Sequence, residues 1–261
     1  MTEWDASRYN NVSALQKWLA DESLAGLELA GAERVLDLGC GDGKITAEIA
    51  ERLPRGSVVG VDPSTGMIDF ARAHFVAEHP NLSFEVGDAT RLRFRDVFDL
   101  VVSFNALHWV ADQTAALRGI RDALRPGARA LLQFVSQGER KCLENVIEET
   151  ALSPRWSSCF AHYRRPHLHL PPDQYRQLAE RVGLHVDNVD VALEAWDFGS
   201  RDVFAEFGNV TFVEWTRRIP DADKAAFIGD VLDRYRRVGD GSAADAAVFH
   251  FYQMRIALRR A

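Results

Sequence analysis

The chain has 261 residues, of which 47% are hydrophobic, and this is enough to fill the core of one large domain. Its 31 basic and 38 acidic residues give a net charge of −7, which disfavours a nucleic-acid substrate because proteins that bind nucleic acid usually present a basic surface. No uncharged apolar stretch is long enough to cross a bilayer and none resembles a signal sequence, so we expect a cytoplasmic protein that does not bind membranes.

Residues 1–135 alternate short apolar strands with segments of helical periodicity. Such near-continuous runs of Val, Leu, Ile and Phe are typical of parallel strands that helices cover on both faces. The predicted strands are 35–38, 57–62, 82–86, 98–104 and 128–135, and the predicted helices are 44–53, 65–78 and 114–124. The pattern predicts an α/β fold with a doubly wound, mostly parallel sheet.

The second half of the chain keeps this alternation less regularly. It contains a predicted helix, a strand, a mainly helical stretch and a last strand, at 173–183, 186–193, 200–238 and 247–258. We interpret 1–261 as a single domain. Its core comprises about 30–135, 171–199 and 245–261, and a helical cap comprises the N-terminal helix, about 138–170 and 200–238.

The stretch VLDLGCGDGKIT, at 35–46, ends a predicted strand in three glycines with two acidic residues beside them. Dinucleotide sites place a pyrophosphate at such a turn, usually with the spacing G-x-G-x-x-G. Here the spacing is G-x-G-x-G at Gly39, Gly41 and Gly43, and the carboxylates of Asp37 and Asp42 would repel a pyrophosphate. S-adenosylmethionine, which is cationic and carries no phosphate, fits better. We expect Asp37 to face its ammonium group, directly or through water.

Further candidate cofactor residues follow the next two strands. Asp62, 23 positions after Gly39, ends the second strand, where an acid accepts hydrogen bonds from both ribose hydroxyls. Asp88 is placed to accept from the adenine amino group, and the backbone N–H of Ala89 can donate to a ring nitrogen. We also assign four residues to this site: Cys40, a small residue within the turn; Pro63 and Met67, which can cover the ring faces; and Asn105, after the fourth strand.

At these residues the chain resembles the class I S-adenosylmethionine-dependent methyltransferases. The motifs that carry the resemblance are VLDLGCGDGKIT, VVGVDPSTGMIDFA at 58–71, GDA at 87–89 and LRPGA at 124–128. The resemblance covers most of the chain. It implies a seven-stranded sheet whose last strand is antiparallel, with S-adenosylmethionine as the cofactor.

A narrower resemblance involves YNNVSALQKW at 9–18, FNALHWV at 104–110 and SPRWSSCF at 153–160. These stretches are similar to juvenile hormone acid methyltransferases and, more loosely, to methyltransferases of trans-aconitate and of malonyl carrier protein. The resemblance implies that Gln16 and Trp109 hold the carboxylate of the acceptor. Trp109 follows Asn105 by four positions, so both would point one way if a helix starts there. His108 has three open interpretations: a donor to the carboxylate, a general base, or a residue at the rim.

Methyl transfer to a carboxylate requires no general base, because the acid is already ionised at neutral pH and the protein needs only to align the reacting atoms and exclude water. The leading hypothesis is therefore esterification of a small-molecule or carrier-bound acid. One alternative is methylation of a phenol or hydroxyl with His108 as the base. Another is a protein that binds S-adenosylmethionine without turnover. The sequence does not indicate the oligomeric state.

The cysteines and histidines do not suggest a metal site. Cys40, Cys142 and Cys159 are odd in number and form no C-x-x-C pair, which argues against a disulfide framework and a structural zinc. His167 and His169 alternate as neighbours on a strand would, and no third ligand is evident. We therefore expect no metal. We interpret the basic residues of 155–169 as a solvated face; the alternative is that they contact a second acidic group of the substrate or an acidic carrier protein.

Overall fold

The computed structural model describes residues 14–165, 167–239 and 247–261, without the side chains at positions 14, 16 and 20. Seven strands form one sheet in the order β3-β2-β1-β4-β5-β7-β6. The strands are β1 (Arg34–Leu38), β2 (Ser57–Asp62), β3 (Leu82–Val86), β4 (Phe98–Phe104), β5 (Leu124–Ser136), β6 (Leu184–Asp197) and β7 (Val248–Arg260). The first five are parallel, whereas β7 runs antiparallel to both β5 and β6. The predicted fold class and the antiparallel last strand are confirmed.

Helices connect the strands and cover the sheet. They are α1 (Ala14–Ala25), α2 (Lys44–Glu51), α3 (Thr65–Phe75), α4 (Gln113–Ala123), α5 (Leu143–Ala151), α6 (Pro172–Arg181), α7 (Arg201–Thr211), α8 (Val213–Thr216) and α9 (Lys224–Arg236). Side-chain caps explain why α3 and α4 begin where they do: the Ser64 hydroxyl accepts from the backbone N–H of Met67, and the Asp112 carboxylate accepts from that of Ala115. Within the described ranges, no helix has both the length and the apolar character needed to span a membrane.

Several predicted boundaries were wrong. The fifth strand begins at Leu124 rather than at residue 128, because LRPGARA continues directly from α4 and the pairing of β4 with β5 is irregular between Phe98 and Leu100. Helices α2 and α3 end earlier than expected, at Glu51 and Phe75. Strand β6 is longer than predicted because it pairs along nearly all of β7.

Two apolar clusters sandwich the sheet, and a third forms beyond it. The third cluster combines residues of α1, α5, α7 and α9 with the start of β7, including Leu15, Phe204, Phe227, Tyr235 and Phe249. Segments that are far apart in the sequence thus share one apolar core. The division of the chain into a core and a cap remains our interpretation.

Helix α1 is tied to the sheet by polar contacts as well as by this cluster. The Ser23 hydroxyl donates to Oε1 of Gln133 on β5 at 2.5 Å, and Arg255 on β7 forms an ion pair with Glu22 at 2.6 Å. These contacts hold α1 near the carboxyl ends of the central strands, where the candidate site lies.

Candidate functional site

A cavity of about 580 Å³ opens at the carboxyl ends of β1, β2 and β4. This volume lies within the range of about 300 to 1,000 Å³ that is usual for small-molecule sites. Its lining includes ten of the residues that the sequence predicted: Gly39, Cys40, Gly41, Asp62, Pro63, Met67, Asp88, Ala89, Asn105 and Trp109. The structure therefore brings together predicted residues from four separate loops.

The three glycines of the turn all have positive φ, of 81° at Gly39, 54° at Gly41 and 84° at Gly43. A Cβ atom at Gly39 would lie 2.1 Å from the Cβ of Ala106, and one at Gly43 would lie 2.7 Å from Ala71. These two glycines permit close packing. A Cβ at Gly41 would meet no atom within 4 Å, so the backbone there is open to a ligand.

Asp62 links the glycine turn to the end of β2. Its Oδ2 accepts from the backbone N–H of Gly41 at 3.1 Å, and its Oδ1 accepts from that of Ser64 at 2.9 Å. The backbone N–H of Gly39 also donates to the carbonyl of Val61 at 2.7 Å. The Asp62 carboxylate is thereby held at the wall of the cavity, where it can accept further hydrogen bonds.

Asp37 is only 2% exposed and does not line the cavity. The Thr46 hydroxyl donates to its Oδ2 at 2.7 Å. Burial raises the pKa of Asp37 to about 7 against the opposing effect of the Thr46 hydrogen bond, and the negative charge of Asp62 adds to the rise. Asp37 does not reach the cavity surface, so the structure does not support a direct contact between its carboxylate and an ammonium group of the ligand. A role through water stays a prediction.

Two other residues of the turn do line the cavity. Burial raises the pKa of Asp42, whose carboxylate accepts from the backbone N–H of Lys44 at 3.2 Å. Burial also raises the pKa of the Cys40 thiol well above its usual range, with the charges of Asp37 and Asp62 adding to the effect. Cys40 is therefore an unreactive small residue of the turn.

Asp88 and Ala89 form the next part of the cavity wall. Oδ1 of Asp88 accepts from the backbone N–H and the hydroxyl of Thr90, both at 2.8 Å, and so caps the short 3₁₀ turn Ala89–Arg91. The carboxylate thus has a fixed orientation at the cavity, next to the buried Ala89.

A second, smaller cavity of about 110 Å³ shares Asn105 and Trp109 with the first. No α-helix starts at Asn105, so the condition under which Asn105 and Trp109 would point the same way is not met. Asn105 has a left-handed backbone with φ of 54°, and only a 3₁₀ turn, Leu107–Trp109, follows it. The Asn105 Oδ1 instead accepts from Nε2 of Gln253 on β7 at 3.0 Å.

His108 lies on the second cavity and is 5% exposed. Burial lowers its pKa well below 6.5, and the nearby His169 and His167 act in the same direction. His108 is therefore neutral at physiological pH. Its Nδ1 has no hydrogen-bond partner within the described part of the chain.

Trp109 stands between the two cavities. Its ring centroid lies 5.2 Å from that of His108 and 6.1 Å from that of Trp215. Leu15 and Leu19 of α1 also line the second cavity, so this helix forms part of its wall. The side chain of Gln16 lies outside the described residues, and its predicted contact with an acceptor carboxylate stays a prediction.

Sequence analysis identified only part of the second cavity. Its wall includes Glu144, Ile147, Phe207, Thr211, Phe212, Trp215 and Phe251. These residues belong to α5, the segment 201–216 and β7, and no short motif connects them. Three of them had a sequence signal: Phe207, Phe212 and Trp215 belong to the ten aromatic residues at 154–215, out of 26 in the chain, and this concentration indicates an apolar pocket.

The chemistry of the larger cavity suits S-adenosylmethionine. The carboxylates of Asp62 and Asp88 can accept hydrogen bonds from ribose hydroxyls and an adenine amino group. The Asp42 carboxylate adds negative charge toward a cationic ligand, and the open space at Gly41 lets the ligand approach the backbone. When bound, this cofactor supplies an electrophilic methyl group.

Comparisons with known proteins agree with this geometry. A family model described as a methyltransferase domain matches residues 35–127. The chain is 35% identical over 243 residues to a trans-aconitate 2-methyltransferase of Deinococcus radiodurans, covering 89% of this chain and 88% of that protein. It is 32% identical over 170 residues to the juvenile hormone acid O-methyltransferase of Bombyx mori, covering 61% of this chain and 58% of that one.

The fold is also shared with solved structures. A Bacillus halodurans protein described as a methyltransferase superposes with a TM-score of 0.65 at 17% identity, covering 92% of this chain and 98% of that one. The similarity in sequence, the matched domain and the cavity at the glycine turn lead to one conclusion. The chain belongs to the class I S-adenosylmethionine-dependent methyltransferases.

Proposed function

We propose that this methyltransferase esterifies the carboxylate of a small acid whose remaining part is compact and apolar. The observation that carries the proposal is the second cavity, which adjoins the cofactor cavity at Asn105 and Trp109. An acceptor bound there lies next to the site of the methyl donor.

The lining of this cavity supports an apolar acceptor. Ten of its fifteen lining residues are aliphatic or phenylalanine side chains or Trp215: Leu15, Leu19, Val135, Leu143, Ile147, Phe207, Phe212, Trp215, Phe249 and Phe251. Among the described residues that line it, none is a lysine or an arginine. An acid with several carboxylates would therefore find no lysine or arginine partner in this wall, whereas an apolar body would be desolvated favourably.

The polar groups at the junction support a carboxylate as the reacting group. Asn105, His108 and Trp109 are neutral side chains that can orient a carboxylate without an opposing charge that would weaken its nucleophilicity. His108 suits a hydroxyl acceptor poorly, because a base whose pKa lies well below the working pH removes a hydroxyl proton inefficiently. The names of the relatives, a trans-aconitate and a juvenile hormone acid methyltransferase, also favour an acid acceptor.

An assay with isotopically labelled S-adenosylmethionine tests the reaction type. The panel comprises short aliphatic acids, aryl acids, trans-aconitate, and phenols of the same size as the aryl acids. Methyl esters release methanol in alkali, whereas methyl ethers do not. We expect alkali-labile label on an apolar monocarboxylic acid. Alkali-stable label on the phenols alone would establish the hydroxyl reaction instead.

Cavity-enlarging variants test the location of the acceptor. Leu143 lines the second cavity, whereas Val146, on the same helix and equally buried, does not. We expect Leu143→Ala to shift the preference toward longer acids and Val146→Ala to leave the preference unchanged, although both remove core methyl groups. The same shift in both variants would show that acceptor size is set elsewhere.

A further inference from the structure

Three side chains with metal-binding atoms meet beside the second cavity. Cys142 lies directly before α5, Glu144 lies in its first turn, and His169 belongs to the segment that leads into α6. The Sγ of Cys142 lies 3.3 Å from Nδ1 of His169, and one ligand atom from each of the three residues lies within 4.8 Å of the others. The sequence did not indicate this group, because 27 positions separate Cys142 from His169.

The donor set is one that zinc prefers. Thiolate, imidazole and carboxylate bind Zn²⁺ at about 2.0 to 2.3 Å in tetrahedral geometry, so that two ligands on one ion lie about 3.3 to 3.6 Å apart. The separation of Cys142 and His169 already matches this spacing. The three ligand atoms, which lie within 4.8 Å of one another, need only a small adjustment to reach this spacing.

Buried polar atoms around the group point independently to a ligand. Oε2 of Glu144, Nε2 of His169 and both ring nitrogens of His167 are buried and have no hydrogen-bond partner among the described residues. His167 is only 3% exposed, and its ring centroid lies 4.8 Å from that of His169. Buried polar atoms are nearly always satisfied in native proteins, and an ion bound at this group would supply the missing partner of the Glu144 oxygen.

We propose that Cys142, Glu144 and His169 bind a zinc ion at the wall of the acceptor cavity. The thiol proton of Cys142 leaves to solvent on binding, and the resulting thiolate and the carboxylate balance the two charges of the ion. Three protein ligands leave the fourth tetrahedral position to water or to a polar group of the acceptor. Because Glu144 also lines the second cavity, the ion joins the start of α5 to the segment before α6 at this cavity.

Cobalt substitution tests the site without any enzymatic assay. The full-length protein is freed of metal with a chelator and titrated with Co²⁺, whose thiolate complexes absorb in the near ultraviolet. We expect a charge-transfer band that saturates at about one ion per chain and is abolished by added Zn²⁺. The band should disappear in Cys142→Ser and persist in Cys159→Ser, the matched control at a partly exposed cysteine outside the group.

A second measurement keeps the proposal testable if Cys142→Ser does not fold. Zn²⁺ should raise the thermal midpoint of the wild type, and its affinity should fall at least about 100-fold in Glu144→Gln and in His169→Asn, since both lose a ligand to the ion. Circular dichroism of the metal-free variants verifies their folding. The absence of a cobalt band in the folded wild type, or an equal band in Cys142→Ser, would show a hydrogen-bonded trio that binds no metal. This result is independent of whether the acceptor is an acid.

Discussion

The two cavities of this methyltransferase are built in different ways. The cofactor cavity takes its predicted residues from loops that follow consecutive strands, and its shape is set by backbone: a turn of three glycines with positive φ, hydrogen-bonded to the end of β2. The second cavity, which we propose binds the acceptor and call the acceptor cavity, is formed by side chains of α1, α5, the segment 201–216 and β7, which meet only in the folded chain. The first cavity thus depends on local backbone geometry, whereas the second depends on long-range packing of side chains.

This difference implies different sensitivities to substitution. At the cofactor cavity, a change in backbone geometry should lower the stability of the fold, and the loss of one anchoring charge should lower the affinity for the cofactor. The acceptor cavity should tolerate conservative changes and respond in rate or preference rather than in folding.

The largest effect should come from Gly39→Ala. The added Cβ would lie 2.1 Å from the Cβ of Ala106 at a residue with φ of 81°. Overpacking and left-handed strain together should lower the free energy of unfolding by about 3 to 5 kcal/mol, as measured by denaturant titration.

Gly127→Ala is the matched control, because Gly127 has φ of 77° with no atom within 4 Å of an added Cβ. It should lose only about 1 to 2 kcal/mol. Equal losses would show that packing at the glycine turn is unimportant.

Asp62→Ala should leave the fold intact and weaken cofactor binding. Loss of a charged acceptor for the ribose hydroxyls costs about 2 to 3 kcal/mol, which corresponds to a tens-fold or larger rise in the Kd for S-adenosylhomocysteine by calorimetry. Asp69→Ala, at an exposed carboxylate on α3 outside the cavity lining, is the control and should bind normally. Unchanged affinity in Asp62→Ala would remove this residue from the ribose site.

At the junction of the cavities, Trp109→Phe keeps an aromatic ring and removes the indole N–H. If that group orients the acceptor, turnover should fall about tenfold on a confirmed acid, with cofactor affinity nearly unchanged. Gln16→Ala should behave in the same way. Trp196→Phe serves as the control, because its ring packs against Trp18 outside both cavities. Wild-type turnover in Trp109→Phe and Gln16→Ala would eliminate the predicted carboxylate clamp.

The smallest effect should be that of pH on kcat. A carboxylate acceptor with a reference pKa near 4 is ionised throughout the range from about pH 6.5 to 8.5, so kcat should be flat there. The lowered pKa of His108 keeps its imidazole neutral over the whole range, so His108 contributes no titration. A phenol with a pKa near 10 would instead react faster as pH rises, because more of it is ionised.

Two controls make this measurement specific. Saturating cofactor prevents the titration of Asp37, whose pKa burial raises to about 7, from altering the rate through cofactor binding. His108→Gln keeps a hydrogen-bond donor and cannot act as a base, so we expect it to retain most of the activity. A rate that climbs with pH, or a loss of about hundredfold in this variant, would favour the hydroxyl reaction.

The sequence predicted the fold class, the cofactor and ten of the residues that line the larger cavity. This was possible because a parallel sheet places the carboxyl ends of neighbouring strands at one edge, so a motif such as Gly39–Gly43 and an acid such as Asp62 or Asp88 have predictable positions. Local conformation was less predictable. Asp37 lies behind the cavity surface because Thr46 holds it in the interior, and Asn105 adopts a left-handed backbone rather than starting a helix.

The wall of the second cavity could be seen only in the folded structure. Glu144 lies on α5 and Phe207 on α7, and both α6 and β6 lie between these two helices in the chain. Cys142 and His169 are in contact although 27 positions separate them in the sequence. No periodicity or spacing encodes such contacts, because they depend on how α1, α5 and α7 pack around one apolar cluster at the end of the sheet. Local motifs fix backbone geometry that the cofactor requires, whereas the shape of the acceptor cavity is a property of side chains that the complete fold alone brings together.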